Sequence, residues 1–204
     1  MDHSDFLNAC CSLDLETNEN GVIYAIAAVF KDQIFQRRTP FNIHKVLTEL
    51  DAFIQEADYL LGHNILRHDL PVCRAIKPDL EFLNKPAIDT LFLSPLAFPE
   101  NPYHRLVKDY KLVRDSINDP LTDARLATAL FQDQWLALSD QHNESGLLSF
   151  YHFGFAGDVL YSGLQAAFKQ LSAITLTIEK AQDLFKQLTD NRVCSVAVDR
   201  VLDQ

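Results

Sequence analysis

The residues best suited to chemistry in this chain are four carboxylates, Asp14, Glu16, Asp69 and Asp123. The first two sit in Cys11-Ser12-Leu13-Asp14-Leu15-Glu16-Thr17, which reads as a strand ending in acid. Alternate residues of a strand share a face, so Asp14 and Glu16 point the same way. Neighbouring carboxylates repel unless something positive lies between them. A divalent cation fills that role, because hard cations take oxygen ligands. Taken alone, the pair also reads as a polar strand end with two solvated acids. Asp69 follows in Gly62-His63-Asn64-Ile65-Leu66-Arg67-His68-Asp69-Leu70-Pro71, where a short strand gives way to a helix. By itself it also reads as a capping or surface acid. Asp123 lies in Asn118-Asp119-Pro120-Leu121-Thr122-Asp123-Ala124-Arg125-Leu126-Ala127. On a helical wheel it falls among Leu126, Ala127 and Leu130, inside the apolar arc. An acid aimed at a core needs a partner, since a lone buried charge is expensive.

The elements that must position these acids follow from hydrophobic period and turn signals. Residues 8–16 read as the first strand, Val22 to Phe30 as the second and Gln33 to Arg38 as the third, joined by turns at Asn18-Glu19-Asn20-Gly21 and Lys31-Asp32. They form an antiparallel meander. Phe41 to Ala57 has helical spacing, and Tyr59 to Gly62 is a short buried strand that a crossover places parallel to the first. Leu66 to Ile76 reads as a helix around Pro71, Ala87 to Thr90 as a strand, and Leu91 to Ala97 as a short helix. Tyr103 to Tyr110 is a short amphipathic helix, and Pro120 to Leu138 a long one with proline in its first turn. From Ser139 strand signals vanish, and helices are expected around 147–152, 156–171 and 178–190. The expected organisation is an α/β domain over 1–138 with a mixed five-stranded sheet, then a helical appendage over 139–204. That appendage is expected to lead on to further domains of a longer chain.

Composition narrows the function classes. The chain has 204 residues, with Lys plus Arg 18 against Asp plus Glu 28, for a net charge of −10. That disfavours a protein that coats nucleic acid by charge alone. It leaves room for an enzyme that grips a few nucleotides through metals and stacking. No apolar run approaches the ~20 residues of a membrane span, so no membrane partner is expected. The cysteines Cys10, Cys11, Cys73 and Cys194 form no Cys-x-x-Cys pair. They read as small buried hydrophobes and suit a reducing, cytoplasmic location. His63 and His68 beside Asp69 hint at zinc, but no cysteine or third histidine completes a site. One basic cluster stands out: His104, Arg105, Lys108, Lys111 and Arg114. It reads either as a solvated helix face or as an edge that contacts phosphates.

Taken in order on strand, strand, helix and helix, the four acids resemble the motifs of the DEDD superfamily of 3′–5′ exonucleases. The resemblance covers about residues 8–135. It rests on Ser-Leu-Asp-Leu-Glu-Thr, on Gly-His-Asn followed by Asp-Leu-Pro, and on Asp-Ala-Arg-Leu-Ala, with Ile88-Asp89-Thr90-Leu91 between the second and third. It implies a ribonuclease H-like α/β fold and two Mg²⁺ or Mn²⁺ ions. Asp14 is then the bridging ligand, with Glu16 and Asp123 on one side and Asp69 on the other. Two such ions ~4 Å apart clamp the attacking water and the leaving oxygen of a phosphodiester. The implied partner is the 3′ end of single-stranded DNA or RNA. Leu15 and Thr17 are then placed to meet the terminal base, Asn64 is a further substrate contact, and His104, Arg105 and Lys108 line the phosphate edge. The chain departs from the family at one place. Subgroups carry a His five residues, or a Tyr four residues, before the last Asp, and those positions here are Asn118 and Asp119. An amide can orient a water but cannot take its proton. His68 is a candidate substitute base or a structural side chain. The alternatives to an exonuclease are a nucleic-acid-end-binding module of a larger helicase- or polymerase-like protein, and a pure interaction domain.

Overall fold

The computed structural model describes residues 3–101, 119–140, 146–171 and 173–189. The meander is present as β1 (Cys10–Thr17), β2 (Ile23–Phe30) and β3 (Gln33–Arg38), paired antiparallel throughout. Asn18 closes the first turn, its side-chain oxygen accepting from the N–H groups of Asn20 and Val22. Gly21 follows at φ +74, a conformation that costs a residue without Cβ little. β4 (Tyr59–Gly62) and β5 (Ala87–Asp89) add to the other side of β1, both parallel, and the sheet order is β3-β2-β1-β4-β5. This is the mixed five-stranded, ribonuclease H-like layout expected, with helices on both faces and a helical C-terminal part.

Strand alternation splits β1 between two cores. Cys11, Leu13 and Leu15 pack with Ile26, with α2 (Ile43–Ile54) through Leu47 and Leu50, and with α3 (Asp69–Ile76) through Leu70 and Cys73. Cys10 points to the opposite face. There Leu61 and Ile88 meet Phe131 and Trp135 of α5 (Pro120–Asp140) and Leu93 of α4 (Thr90–Ala97). Ser12, Asp14 and Glu16 continue that second face toward the carboxyl end of β1. Burial pushes the thiols of Cys10, Cys11 and Cys73 up to about 12, so they are inert neutral core groups.

The structure adds and trims elements. A short helix, α1 (His3–Asn8), precedes β1, and its Phe6 is fully buried against Tyr59 and Trp135, with ring centroids 4.8 and 5.5 Å away. Six residues are too few to show a period. The helix expected from Leu66 starts at Asp69, after turns in which Asn64 takes φ +66. The helix expected over 156–171 starts at Ser162, after a 3₁₀ turn at Val159–Tyr161 capped by Asp158. The helix expected at 103–110 lies outside the described residues. No helix among the described residues is long and apolar enough to cross a membrane.

Beyond α5 come α6 (Leu147–Gly154), α7 (Ser162–Gln170) and α8 (Ile178–Thr189). Leu148, Leu164 and Phe168 belong to the same buried cluster as Ile88, Phe131 and Trp135. α7 packs so closely on β5 that a Cβ on Gly163 would lie 2.2 Å from the Ala87 carbonyl oxygen. The change at 138–142 is one of secondary structure, and the second core runs across it.

Candidate metal centre

Asp14, Glu16 and Asp123 meet. Each offers a carboxylate oxygen, and these oxygens lie within 4.8 Å of one another. All three side chains are half-buried. The placement follows from local structure. Asp14 and Glu16 alternate on β1 opposite Ala27 and Ala25 of β2. Those small residues let α5 lie close, through its buried Ala124 and Ala127. Ser12 locks the arrangement: its Oγ donates to the Ala124 carbonyl at 2.6 Å. Asp119 caps the helix, its Oδ2 accepting from the N–H of Thr122 at 3.1 Å and from the Thr122 hydroxyl at 2.7 Å.

Asp69 lies outside this group. It is 2 % exposed, and its Oδ1 accepts the backbone N–H of Leu15 at 2.9 Å. The β1–β4 pairing runs only from Cys10 to Ser12 on β1, and β4 ends at Gly62. Past that end the carboxylate of Asp69 takes the N–H of Leu15. Burial raises its carboxyl above the usual range, while the His68 side chain and the Leu15 N–H act the other way. His68 has Nδ1 3.7 Å from Asp69 Oδ2 and Nε2 3.4 Å from the Thr17 hydroxyl. Its ring is held above the ordinary histidine value, chiefly by its hydrogen bond to Asp69.

Two groups matter more here than the sequence suggests. His63 Nδ1 lies 2.9 Å from the Thr90 hydroxyl, which itself reaches the Gly62 carbonyl at 3.3 Å. Burial lowers the His63 value, against the pull of the Asp123 charge. The signal for this was positional. His63 directly follows β4, and ligand sites of open α/β sheets form outside the carboxyl ends of their strands. Asp89 is fully buried and accepts the N–H groups of Asn64, Leu66 and Leu91 at 2.8, 3.1 and 2.9 Å. It pins the loop that carries His63.

The substrate-contacting residues expected from sequence fare unevenly. Thr17 is half-buried at the mouth beside His68. Asn64 is half-buried, with its backbone spent on Asp89. Leu15 has its side chain 3 % exposed, part of the core beneath α2 and α3. Alternation requires this, since its neighbours Asp14 and Glu16 face the other way. Asn118, His104, Arg105 and Lys108 lie outside the described residues. No protein-family model matches the chain, and no curated protein matches it.

Proposed function

We propose that this chain is a metal-dependent 3′–5′ exonuclease that hydrolyses phosphodiester bonds at single-stranded nucleic-acid ends. The observation that carries the reading is the meeting of Asp14, Glu16 and Asp123, within 4.8 Å, at the carboxyl end of a central strand. Three carboxylates with no sulfur donor among them suit a hard cation such as Mg²⁺ or Mn²⁺. In this reading Asp14, Glu16 and Asp123 would hold the metal, with Asp69 the nearest further carboxylate of the resembled motif. Bound there, such cations neutralise phosphate charge and acidify a water. The chain's own groups do the rest. Asp69 fixes β1 through Leu15, Ser12 fixes α5, and the neutral ring of His63 stands beside Asp123 as a group able to accept a proton. The test is degradation of 3′- and 5′-labelled single strands of DNA and RNA in Mg²⁺, Mn²⁺ or EDTA. Stepwise shortening from the 3′ end with metal, absent in EDTA and in Asp14→Asn, is expected. No shortening with either cation overturns the reading.

One observation favours a second reading, an end-binding module with little turnover. Asp69 is buried and already engaged by Leu15 N–H, outside the group of three. In the same assay this reading gives metal-dependent binding of the strand without shortening.

A further inference from the structure

β3 is the outer strand of the sheet, two places from β1. Register decides which of its side chains share the acids' face. Asp14 stands opposite Ala27, and Ala27 opposite Gln36; Glu16 stands opposite Ala25, and Ala25 opposite Arg38. Directly opposed residues of antiparallel strands lie on one face. Gln36 and Arg38 are therefore on the face of Asp14 and Glu16, about 10 Å across at two strand spacings. β1 and β3 run in the same direction, so Arg38, the last residue of β3, and Glu16, the last but one of β1, lie at one end of the sheet. Asp119 sits between β3 and the helix that carries Asp123. Its Oδ1 accepts from Gln36 Nε2 at 3.3 Å and lies 4.0 Å from the Arg38 guanidinium, whose side chain remains 44 % exposed. Arg37, one residue earlier, is opposite Ile26, points to the other face and pairs with Glu49 at 2.9 Å.

We propose that Gln36 and Arg38 form a phosphate-contacting subsite for the single strand whose end reaches the acidic group, an inference that rests on the nuclease reading above. An acidic group repels an anionic strand wherever no cation intervenes, so the strand needs a cationic hold away from the metals. A guanidinium is permanently charged, weakly hydrated and shaped to match phosphate oxygens. With 44 % of its side chain exposed, Arg38 presents that guanidinium at the sheet edge on the acids' face. Phosphate contacts set register without reading sequence, as an end-acting enzyme requires.

The experiment uses the full chain and a fluorescein-labelled oligothymidylate, with Ca²⁺ as the cation. Binding is followed by anisotropy across a salt series. Arg38→Ala should weaken binding about tenfold at low salt and flatten the slope of log K against log salt by about 0.7, the single-strand value for one lost phosphate contact. Arg38→Lys should keep the slope, and Arg37→Ala should bind like the parent. The Mn²⁺-induced rise in Tm should survive in Arg38→Ala, showing the acidic group intact. If Arg38→Ala loses its cooperative transition, Arg38→Gln carries the same comparison. An unchanged slope in the Arg38 variant, or equal losses from Arg37→Ala and Arg38→Ala, overturns the subsite. Binding that depends on Arg38, with no shortening by the parent, leaves the subsite standing and overturns the exonuclease reading. Shortening by the parent with KM unchanged in Arg38→Ala does the reverse.

Discussion

Three acids in one small volume repel until a cation joins them, so the folded protein should gain stability from Mn²⁺. At a hundredfold excess over Kd the gain is ~2.7 kcal/mol, read as a rise in Tm. Asp14→Asn should raise the metal-free Tm and remove most of that rise; a parent indifferent to millimolar Mn²⁺ would exclude the site. The two histidines beside the acids make opposite contributions with pH. The His68 ring is held above its unfolded value. Its stabilisation is complete below ~6.5 and is lost as pH rises through the folded value. The His63 ring is held below its unfolded value. Stability on its account is complete above ~6.5 and is lost as pH falls through the folded value. Urea midpoints from pH 5 to 9 should therefore fall on both sides of a near-neutral maximum. His68→Gln should flatten the alkaline limb and His63→Gln the acid limb. A single-residue reading of the sequence reached Asp14, Glu16 and Asp123 because a period of two and a period of 3.6 each placed them. It offered His63 only as part of an incomplete zinc set, because its contacts with Thr90 and the Asp123 charge come from residues far along the chain.

At the scale of elements, the centre depends on how β1 is held on each side. α5 is fastened by Ser12, and Ser12→Ala should cost ~1 kcal/mol, a typical net value for one hydrogen bond. On the β4 side Asp69 takes the place of a strand acceptor. Asp69→Ala leaves the Leu15 N–H buried without its partner and should cost ~1–3 kcal/mol in urea unfolding. Asp69→Asn keeps an acceptor oxygen and should cost less. It should also keep the Mn²⁺ response if Asp14, Glu16 and Asp123 alone hold the ion, and lose much of it if Asp69 is a ligand. The strands and the longer helices were legible because each spans enough residues to show its period. α1 was not, having a single buried aromatic, Phe6, to fix it. The start of α3 at Asp69 was not legible either. It is set by the buried carboxylate of Asp89, which holds Asn64 and Leu66 in the preceding turn.

At the scale of the molecule, the sheet and the C-terminal helices share one interior. Ile88 on β5, Phe131 and Trp135 on α5, and Leu164 and Phe168 on α7 belong to a single buried cluster. The sequence shows where strands stop and helices take over, but not where those helices dock. Docking is decided by contacts such as Gly163 on Ala87, between residues distant in sequence. This makes a sharp expectation. A Cβ at Gly163 would meet the carbonyl oxygen and carbon of Ala87 at 2.2 and 2.3 Å, and backbone atoms cannot swing aside as a side chain can. Gly163→Ala should therefore push α7 off β5 and destabilise the fold by ~3 kcal/mol or more, the upper range for overpacking. A fragment of residues 1–138 loses Leu164 and Phe168 altogether and uncovers Ile88 and Trp135. It should show increased binding of a hydrophobic dye and a broadened thermal transition beside the full chain. Gly163→Ala should share that signature in milder form, because the same face is opened by displacement rather than deletion. A 1–138 fragment that melts as sharply and at the same temperature as the full chain would show that the first core and α5 suffice to hold the acidic centre. The C-terminal helices would then serve something other than its support.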